Sequence, residues 1–158
     1  MVFAHGFGCD QNMWRFVAPE FEDDFKVVLF DHVGAGGSDL SAYDHRKYSM
    51  LSGYAEDIIE IGRELRLKDA VFVGHSVSSM IGILASLKSP GIFGRLVLVG
   101  PSARYVDDGD YVGGFSAKQI DEQTPRIPGG QPHGLVSRDG AVHYGQPRSA
   151  GTRPRAHE

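Results

Sequence analysis

The stretch that most constrains the fold of this chain is residues 71–81, which read Val-Phe-Val-Gly-His-Ser-Val-Ser-Ser-Met-Ile. A short apolar run rich in β-branched residues leads into a turn of small residues, and a second apolar run with helical spacing follows. The pattern predicts a strand, a sharp turn and a helix, with Ser76 on the turn. A serine on such a turn is lifted above the end of its strand, so Ser76 is the candidate nucleophile.

Strand and helix patterns alternate around this stretch. Apolar runs at the start of residues 1–8, at 26–31 and at 95–99 predict further strands, and 26–31 reads as a strand covered on both faces. Residues 49–67 predict an amphipathic helix with Ser49 as its N-cap, and the helix after Ser76 is predicted to stop before Pro90. The order predicts an α/β fold in which a parallel sheet is flanked by helices.

Four loops are expected to meet at the carboxyl edge of that sheet, where parallel α/β sheets gather their active sites. These loops are residues 5–8, 31–39, 74–78 and 100–102. Between the first two strands, Phe16, Val17 and Phe21 have helical spacing, and Trp14 and Phe16 are interpreted as packing groups.

Several segments together resemble one protein family. They are His-Gly-Phe-Gly-Cys-Asp-Gln at 5–11 with Trp14, Asp-His-Val-Gly at 31–34 with Gly-Ser-Asp at 37–39, Gly-His-Ser-Val-Ser at 74–78, Val-Gly-Pro-Ser at 99–102, and Gly-Gly-Phe at 113–115. Over residues 1–123 these motifs resemble the RsbQ-type α/β-hydrolases, bacterial sigma-factor regulators that are similar to the plant strigolactone and karrikin receptors. Ser78, which stands where G-x-S-x-G has its second glycine, is itself familiar in this group.

The resemblance implies a Ser-Asp-His triad, a helical cap over an apolar pocket, and a small hydrophobic ligand or ester as substrate. Ser76 would be the nucleophile, and the backbone amides of Phe7 and Val77 would form the oxyanion hole. The flanking motif residues would support this arrangement. They are His5, Gly6, Gly8, Gly74 and His75.

Each of these features also has a simpler interpretation. His5 and His75 are also plausible as turn residues, and Cys9 as a small loop residue. A phosphate-binding role for the glycines of residues 34–37 is disfavoured, because the dinucleotide fingerprint and a P-loop lysine are both lacking. Asp10, Asp39 and the pair at 107–108 read as turn formers or solvated charge. No cofactor is called for, and no spacing indicates a metal site.

Composition restricts the partners and the compartment. The net charge of −4 favours neither nucleic acid nor an acidic membrane surface as a partner, and no apolar run is long enough to span a bilayer. The single cysteine, Cys9, excludes an internal disulfide. We therefore expect a cytoplasmic protein.

The composition changes near Gln123. Residues 1–122 hold 11 basic and 18 acidic residues, whereas residues 123–158 hold five arginines and two acidic residues among many prolines and glycines. We therefore predict a partial hydrolase core with the start of a cap at 1–123, and an irregular, disordered Gly/Pro/Arg-rich tail at 124–158.

The tail is interpreted as the product of a frameshift. One choice of codons for residues 122–158, with a single base removed, reads as an apolar-periodic helical sequence containing Asn-Pro-Asp-Arg-Pro-Glu, a run associated with the same family. Sequencing the coding DNA tests this. On this interpretation the core is truncated at both ends, and the triad Asp and His are expected to be absent. His133, His143 and His157 are not expected to replace the base.

Three functions therefore remain open at the level of sequence. The first is a serine hydrolase acting on an ester-type bond of a small hydrophobic compound. The second is an RsbQ-like regulator or ligand receptor that acts through a protein partner such as a regulatory phosphatase. The third is an inactive fragment of either.

Overall fold

A computed structural model describes residues 1–116, 118 and 119. Its strands are β1 (Val2–Ala4), β2 (Val28–Leu29), β3 (Ala70–His75) and β4 (Phe93–Val99), and its helices are α1 (Leu51–Glu64) and α2 (Val77–Lys88). Short 3₁₀ helices span Gln11–Trp14, Ala18–Phe21 and Leu40–Ala42. The predicted tail at 124–158 and its boundary lie outside the described residues.

The four strands form one parallel sheet in the order β2-β1-β3-β4. The predicted α/β class, with helices flanking a parallel sheet, is confirmed. The register pairs Ala4 with Gly74 and His75 with Val99, so β1, β3 and β4 end at the same edge. The loop after β1 and the turn after β3 therefore start side by side.

Alternating side chains of the strands pack on opposite faces of the sheet. Val2 and Phe72 belong to the larger core, which α1 and α2 cover. Phe3 and Val73 point to the other face, where Trp14 and Ala18 of the 3₁₀ segments cover them. The two layers hold the strand ends in fixed relative positions.

Some local predictions need correction. Residues 26–31 form a strand only at Val28–Leu29, and Leu29 is exposed because β2 pairs only with β1 in the described part of the chain. Helix α1 is shorter than residues 49–67. Ser49 is not its N-cap, because its hydroxyl donates to the carbonyl of Arg46 and Met50 occupies the cap position.

Trp14 and Phe16, the two aromatic residues interpreted as packing groups, differ in how far they are buried. Trp14 is buried against Phe3, with ring centroids 5.2 Å apart. Phe16 is 77% exposed, and the Arg15 guanidinium lies 4.3 Å from the centroid of its ring, so its assignment as a packing group was wrong. Within residues 1–116, 118 and 119, no helix combines the length and the apolar character that crossing a membrane requires.

Candidate active site

Ser76 stands alone between the last residue of β3 and the first residue of α2. Its backbone has φ 55° and ψ −122°, a conformation that costs energy in any residue other than glycine. The turn is held from both sides, since the Ser76 amide donates to Val99 at 2.8 Å and the Ser76 carbonyl accepts from the Ser79 amide at 2.9 Å. A strained turn fixed in this way presents its side chain at the carboxyl edge of the sheet.

The loop after β1 runs directly against this turn. A Cβ on Gly6 would lie 2.5 Å from Nδ1 of His75 and 3.1 Å from Cβ of Ser76, so a larger residue there would force the buried His75 ring to move. Gly8 has φ 71°, in the left-handed region that favours glycine. The glycines of residues 5–8 therefore serve a close approach and a sharp turn.

Two backbone amides near Ser76 have no acceptor among the described residues. Within the part of the chain that the structure describes, neither the Phe7 N–H nor the Val77 N–H donates a hydrogen bond. The Gly6 carbonyl accepts from the Cys9 amide at 3.2 Å and from Nδ1 of His5 at 2.9 Å. A trans peptide directs its N–H opposite to its C=O, so these bonds aim the Phe7 N–H away from His5 and Cys9.

The side chain of Ser76 meets a partner that the sequence interpretation missed. Its Oγ lies 3.2 Å from the hydroxyl of Tyr105. Tyr105 follows the loop at residues 100–102, which was expected at this edge. That position was the only sequence signal for it, because a tyrosine in a loop has no distinctive pattern.

The histidines of the described segment leave Ser76 without a base. Nδ1 of His75 is buried with no partner there and faces Gly6. His5 bonds to Gly6 and to the amide of His32, and the ring of His45 packs edge to face with that of Tyr43. Within residues 1–116, 118 and 119, no histidine hydrogen-bonds to the Ser76 hydroxyl, so a complete triad needs residues beyond these.

A buried network joins three of the strand-end loops. The Ser78 hydroxyl donates to the carbonyl of His5 at 2.5 Å, and its oxygen lies 2.7 Å from Nε2 of His32. Because the one hydroxyl hydrogen goes to His5, Nε2 of His32 must carry a proton and donate to Ser78. The His32 amide donates to Nε2 of His5 at 3.1 Å, so His5 carries its proton on Nδ1. All three residues are fully or almost fully buried.

Sequence interpretation treated Ser78 as a small residue and did not assign a role to His32. In the structure, both residues belong to the buried hydrogen-bond network. Burial lowers the pKa of His32 to about 3, and the nearby His5 ring contributes in the same direction. His32 is therefore neutral across the physiological range.

This burial predicts a pH dependence of stability. In the unfolded chain His32 protonates near pH 6.5, whereas in the fold it stays neutral down to about pH 3. The unfolded state binds more protons in this window, so the free energy of unfolding falls by about 1.4 kcal/mol per pH unit as the pH drops below 6.5. Urea unfolding between about pH 7.5 and about pH 4.5 measures this dependence.

The matched variants for that experiment are His32→Phe and His45→Phe. His32→Phe keeps the ring contacts with Phe30 and Tyr54 but removes the titrating group. It should flatten the pH dependence, and His45→Phe is the control because it replaces an exposed histidine ring outside this buried network. An unchanged slope in His32→Phe would contradict the assignment.

The glycines at residues 36–37 lie against the side chain of Asp31. Its carboxylate accepts from the Gly37 amide at 2.9 Å and from the amide and side chain of Gln11, and a Cβ on Gly36 would strike it. Burial raises the pKa of Asp31, but these hydrogen bonds outweigh it and hold that pKa below its usual value. The Gly37 amide therefore already serves a carboxylate of this chain, as the disfavoured phosphate-binding role would not require.

The acidic turn residues behave as expected. The side chains of Asp10 and Asp39 each accept a hydrogen bond from the backbone amide two residues later in the chain. The Asp107 carboxylate accepts from the amides of Gly113 and Gly114. Among residues 1–116, 118 and 119, no group of three or more His, Cys, Asp or Glu side chains is placed to hold a metal ion.

Comparison with known proteins points to one family. A family model for the alpha/beta hydrolase fold matches residues 1–150. The chain is 47% identical over 122 residues to Karrikin insensitive 2 receptor CA of Petunia hybrida and 43% identical over 122 residues to Strigolactone esterase RMS3 of Pisum sativum. These matches cover 77% of this chain and 45% and 46% of the relatives, so the chain spans about half of their length.

Solved structures are also consistent with the α/β-hydrolase fold. A hydrolase from Oleispira antarctica superposes with a TM-score of 0.71 at 45% identity, over 77% of this chain and 45% of that one. The comparisons thus show the α/β-hydrolase fold and relatives among the plant karrikin and strigolactone proteins, and the narrower RsbQ-type assignment stays a prediction.

Proposed function

The chain belongs to the α/β-hydrolase family, and on this premise we propose that its site is that of a serine hydrolase acting on an ester-type bond of a small hydrophobic compound. One observation carries the proposal: Ser76 stands on a strained turn beside two backbone amides, of Phe7 and Val77, that donate to no described residue. Relatives named as esterases and hydrolases support it.

In the proposed reaction the Ser76 oxygen attacks the carbonyl carbon of the ester. The carbonyl oxygen takes up negative charge, which the Phe7 and Val77 amides stabilise. Collapse of this intermediate breaks the carbon–oxygen bond to the alcohol, which leaves with a proton, and forms acyl-Ser76. Water then attacks the acyl carbon, releasing the acid and restoring the serine hydroxyl.

The proton steps need a base that the described histidines do not supply. With a nucleophile, a binding site and an oxyanion hole but no base, triad enzymes retain about 10³- to 10⁴-fold catalysis over water. The interpretation of the sequence expects the triad Asp and His to be absent from this chain, and we therefore propose that the chain reaches only this residual activity.

A chromogenic short-chain ester tests this proposal. The chain should release the chromophore faster than buffer does, yet far more slowly than a complete triad enzyme, and Ser76→Ala should lack the acyl adduct on residue 76 that mass spectrometry detects in the wild type. Ser79→Ala is the matched control, since it removes a buried hydroxyl one turn away. An equal yield of acyl adduct in the wild type and in Ser76→Ala would reject the proposed nucleophile.

A second candidate function is ligand-dependent signalling. The relative that is named a karrikin receptor, 47% identical, favours it, and the resemblance to RsbQ-type regulators adds a regulatory phosphatase as the proposed partner. The two functions separate in the same assay when a candidate stress-signalling phosphatase is added. A regulator should change phosphatase activity in response to the ligand, whereas a hydrolase should turn over ester regardless of the phosphatase.

A further inference from the structure

We propose that Ser78 and His32 are positioning residues that set the direction of the Phe7 amide, one of the two donors of the proposed oxyanion hole. This inference rests on the proposed function of Ser76 for its catalytic meaning. Neither residue is within hydrogen-bond reach of the nucleophile's hydroxyl, so they act through the backbone of the loop at residues 5–8.

The first step is that two hydrogen bonds fix the position of His5. Its carbonyl accepts the Ser78 hydroxyl at 2.5 Å, and Nε2 of its ring accepts the amide of His32 at 3.1 Å. The backbone and the ring of His5 are therefore fixed by two different elements. Both contacts are fully buried, where hydrogen bonds are strong and an unpaired group is costly.

The second step is the link from His5 to the donor. Because Nε2 of His5 accepts, Nδ1 carries the proton, and Nδ1 lies 2.9 Å from the Gly6 carbonyl. That carbonyl and the Phe7 N–H belong to one planar peptide and point in opposite directions. Fixing the Gly6 carbonyl therefore fixes the direction of the Phe7 N–H.

The third step is that Ser78 connects the loop at residues 5–8 to helix α2. It belongs to the first turn of α2, the helix that begins directly after Ser76, so its hydroxyl ties the loop at residues 5–8 to the element that carries the second donor, Val77. The His32 ring donates to the same oxygen at 2.7 Å and keeps the hydroxyl hydrogen directed at His5. A glycine at this position offers no such tie.

The neighbouring serine provides a matched control. Ser79 is equally buried and lies in the same helical turn, but its hydroxyl donates to the Gly74 carbonyl at 2.7 Å, inside the elbow, the strand-turn-helix segment of residues 71–81. Ser79→Ala therefore removes one buried hydrogen bond without touching the loop at residues 5–8. An effect of Ser78→Ala that Ser79→Ala lacks is specific to the loop.

The experiment measures formation of acyl-Ser76 from a p-nitrophenyl ester under saturating ester, in the full chain. Ser78→Ala should lower the limiting rate about tenfold, a fraction of the effect of deleting an oxyanion donor, with little change in the ester concentration for half-saturation. His32→Phe should produce the same loss, and the double variant should lose no more than either single variant. Equal rates in Ser78→Ala and Ser79→Ala would overturn the proposal.

A spectroscopic measurement separates this inference from the proposed function. In a ¹H–¹⁵N spectrum, Ser78→Ala and His32→Phe should both move the Phe7 amide resonance, whereas Ser79→Ala should leave it in place. If Ser76→Ala reacts like the wild type, the proposed function fails, but the Phe7 resonance still decides the positioning role. An unmoved Phe7 resonance in Ser78→Ala rejects that role whatever the kinetics show.

Discussion

Gly74→Ala is expected to destabilise the fold by about 3 kcal/mol, the upper end of the usual cost of inserting a methyl group into a packed core. The new Cβ would lie 2.6 Å from the carbonyl oxygen of Ser78 and 2.8 Å from the amide nitrogen of Ser79. These are backbone atoms of the first turn of α2, so no side chain can rotate to make room. Either α2 moves away from β3 or β3 leaves its register with Leu98.

The same substitution should also remove reactivity at Ser76, because the elbow is built from the contact that the methyl group breaks. The matched control is Gly37→Ala, whose Cβ would meet its nearest neighbour, Oδ2 of Asp31, at an ordinary 3.7 Å. Urea unfolding should place Gly37→Ala close to the wild type and Gly74→Ala well below it. Equal midpoints would show that the approach of α2 to Gly74 is not as tight as described.

Local sequence patterns were sufficient for the elements that form the elbow. The β-branched run at 71–73 and the helical spacing after Ser76 each depend on neighbours in sequence, and β3 and α2 appear where the patterns placed them. The predictions of a strand over the whole of 26–31 and of Ser49 as an N-cap were wrong for a different reason. Strand length depends on pairing with β1, and the Ser49 hydroxyl bonds backward to Arg46, so long-range pairing and a competing local bond decided the outcome.

The site itself was predictable only in part. Ser76 and the loop at residues 5–8 carry recognisable motifs, and the structure brings them into contact through Gly6. His32 lies in the Asp-His-Val-Gly motif, but neither it nor Tyr105 was assigned a role, because their partners, Ser78 and Ser76, are 46 and 29 residues away in sequence. Only the fold decides which polar side chains share a buried contact.

Replacement of Ser76 by alanine is expected to abolish covalent modification by a fluorophosphonate. In the wild type the Ser76 oxygen attacks phosphorus, the phosphorus–fluorine bond breaks, fluoride leaves and the serine proton passes to solvent. The phosphoryl oxygen would occupy the position of an oxyanion, between the Phe7 and Val77 amides. Since no described histidine reaches Ser76, labelling should be slow, at a small fraction of the rate of a complete triad.

The central claim is that Ser76 is the nucleophile of this chain, and the measurement that tests it most directly is peptide mapping of the fluorophosphonate adduct after long incubation. We predict a single slowly formed adduct on Ser76, which is missing in Ser76→Ala and retained in Ser79→Ala. An adduct on another residue, or an equal yield of adduct in the wild type and in Ser76→Ala, would contradict the account.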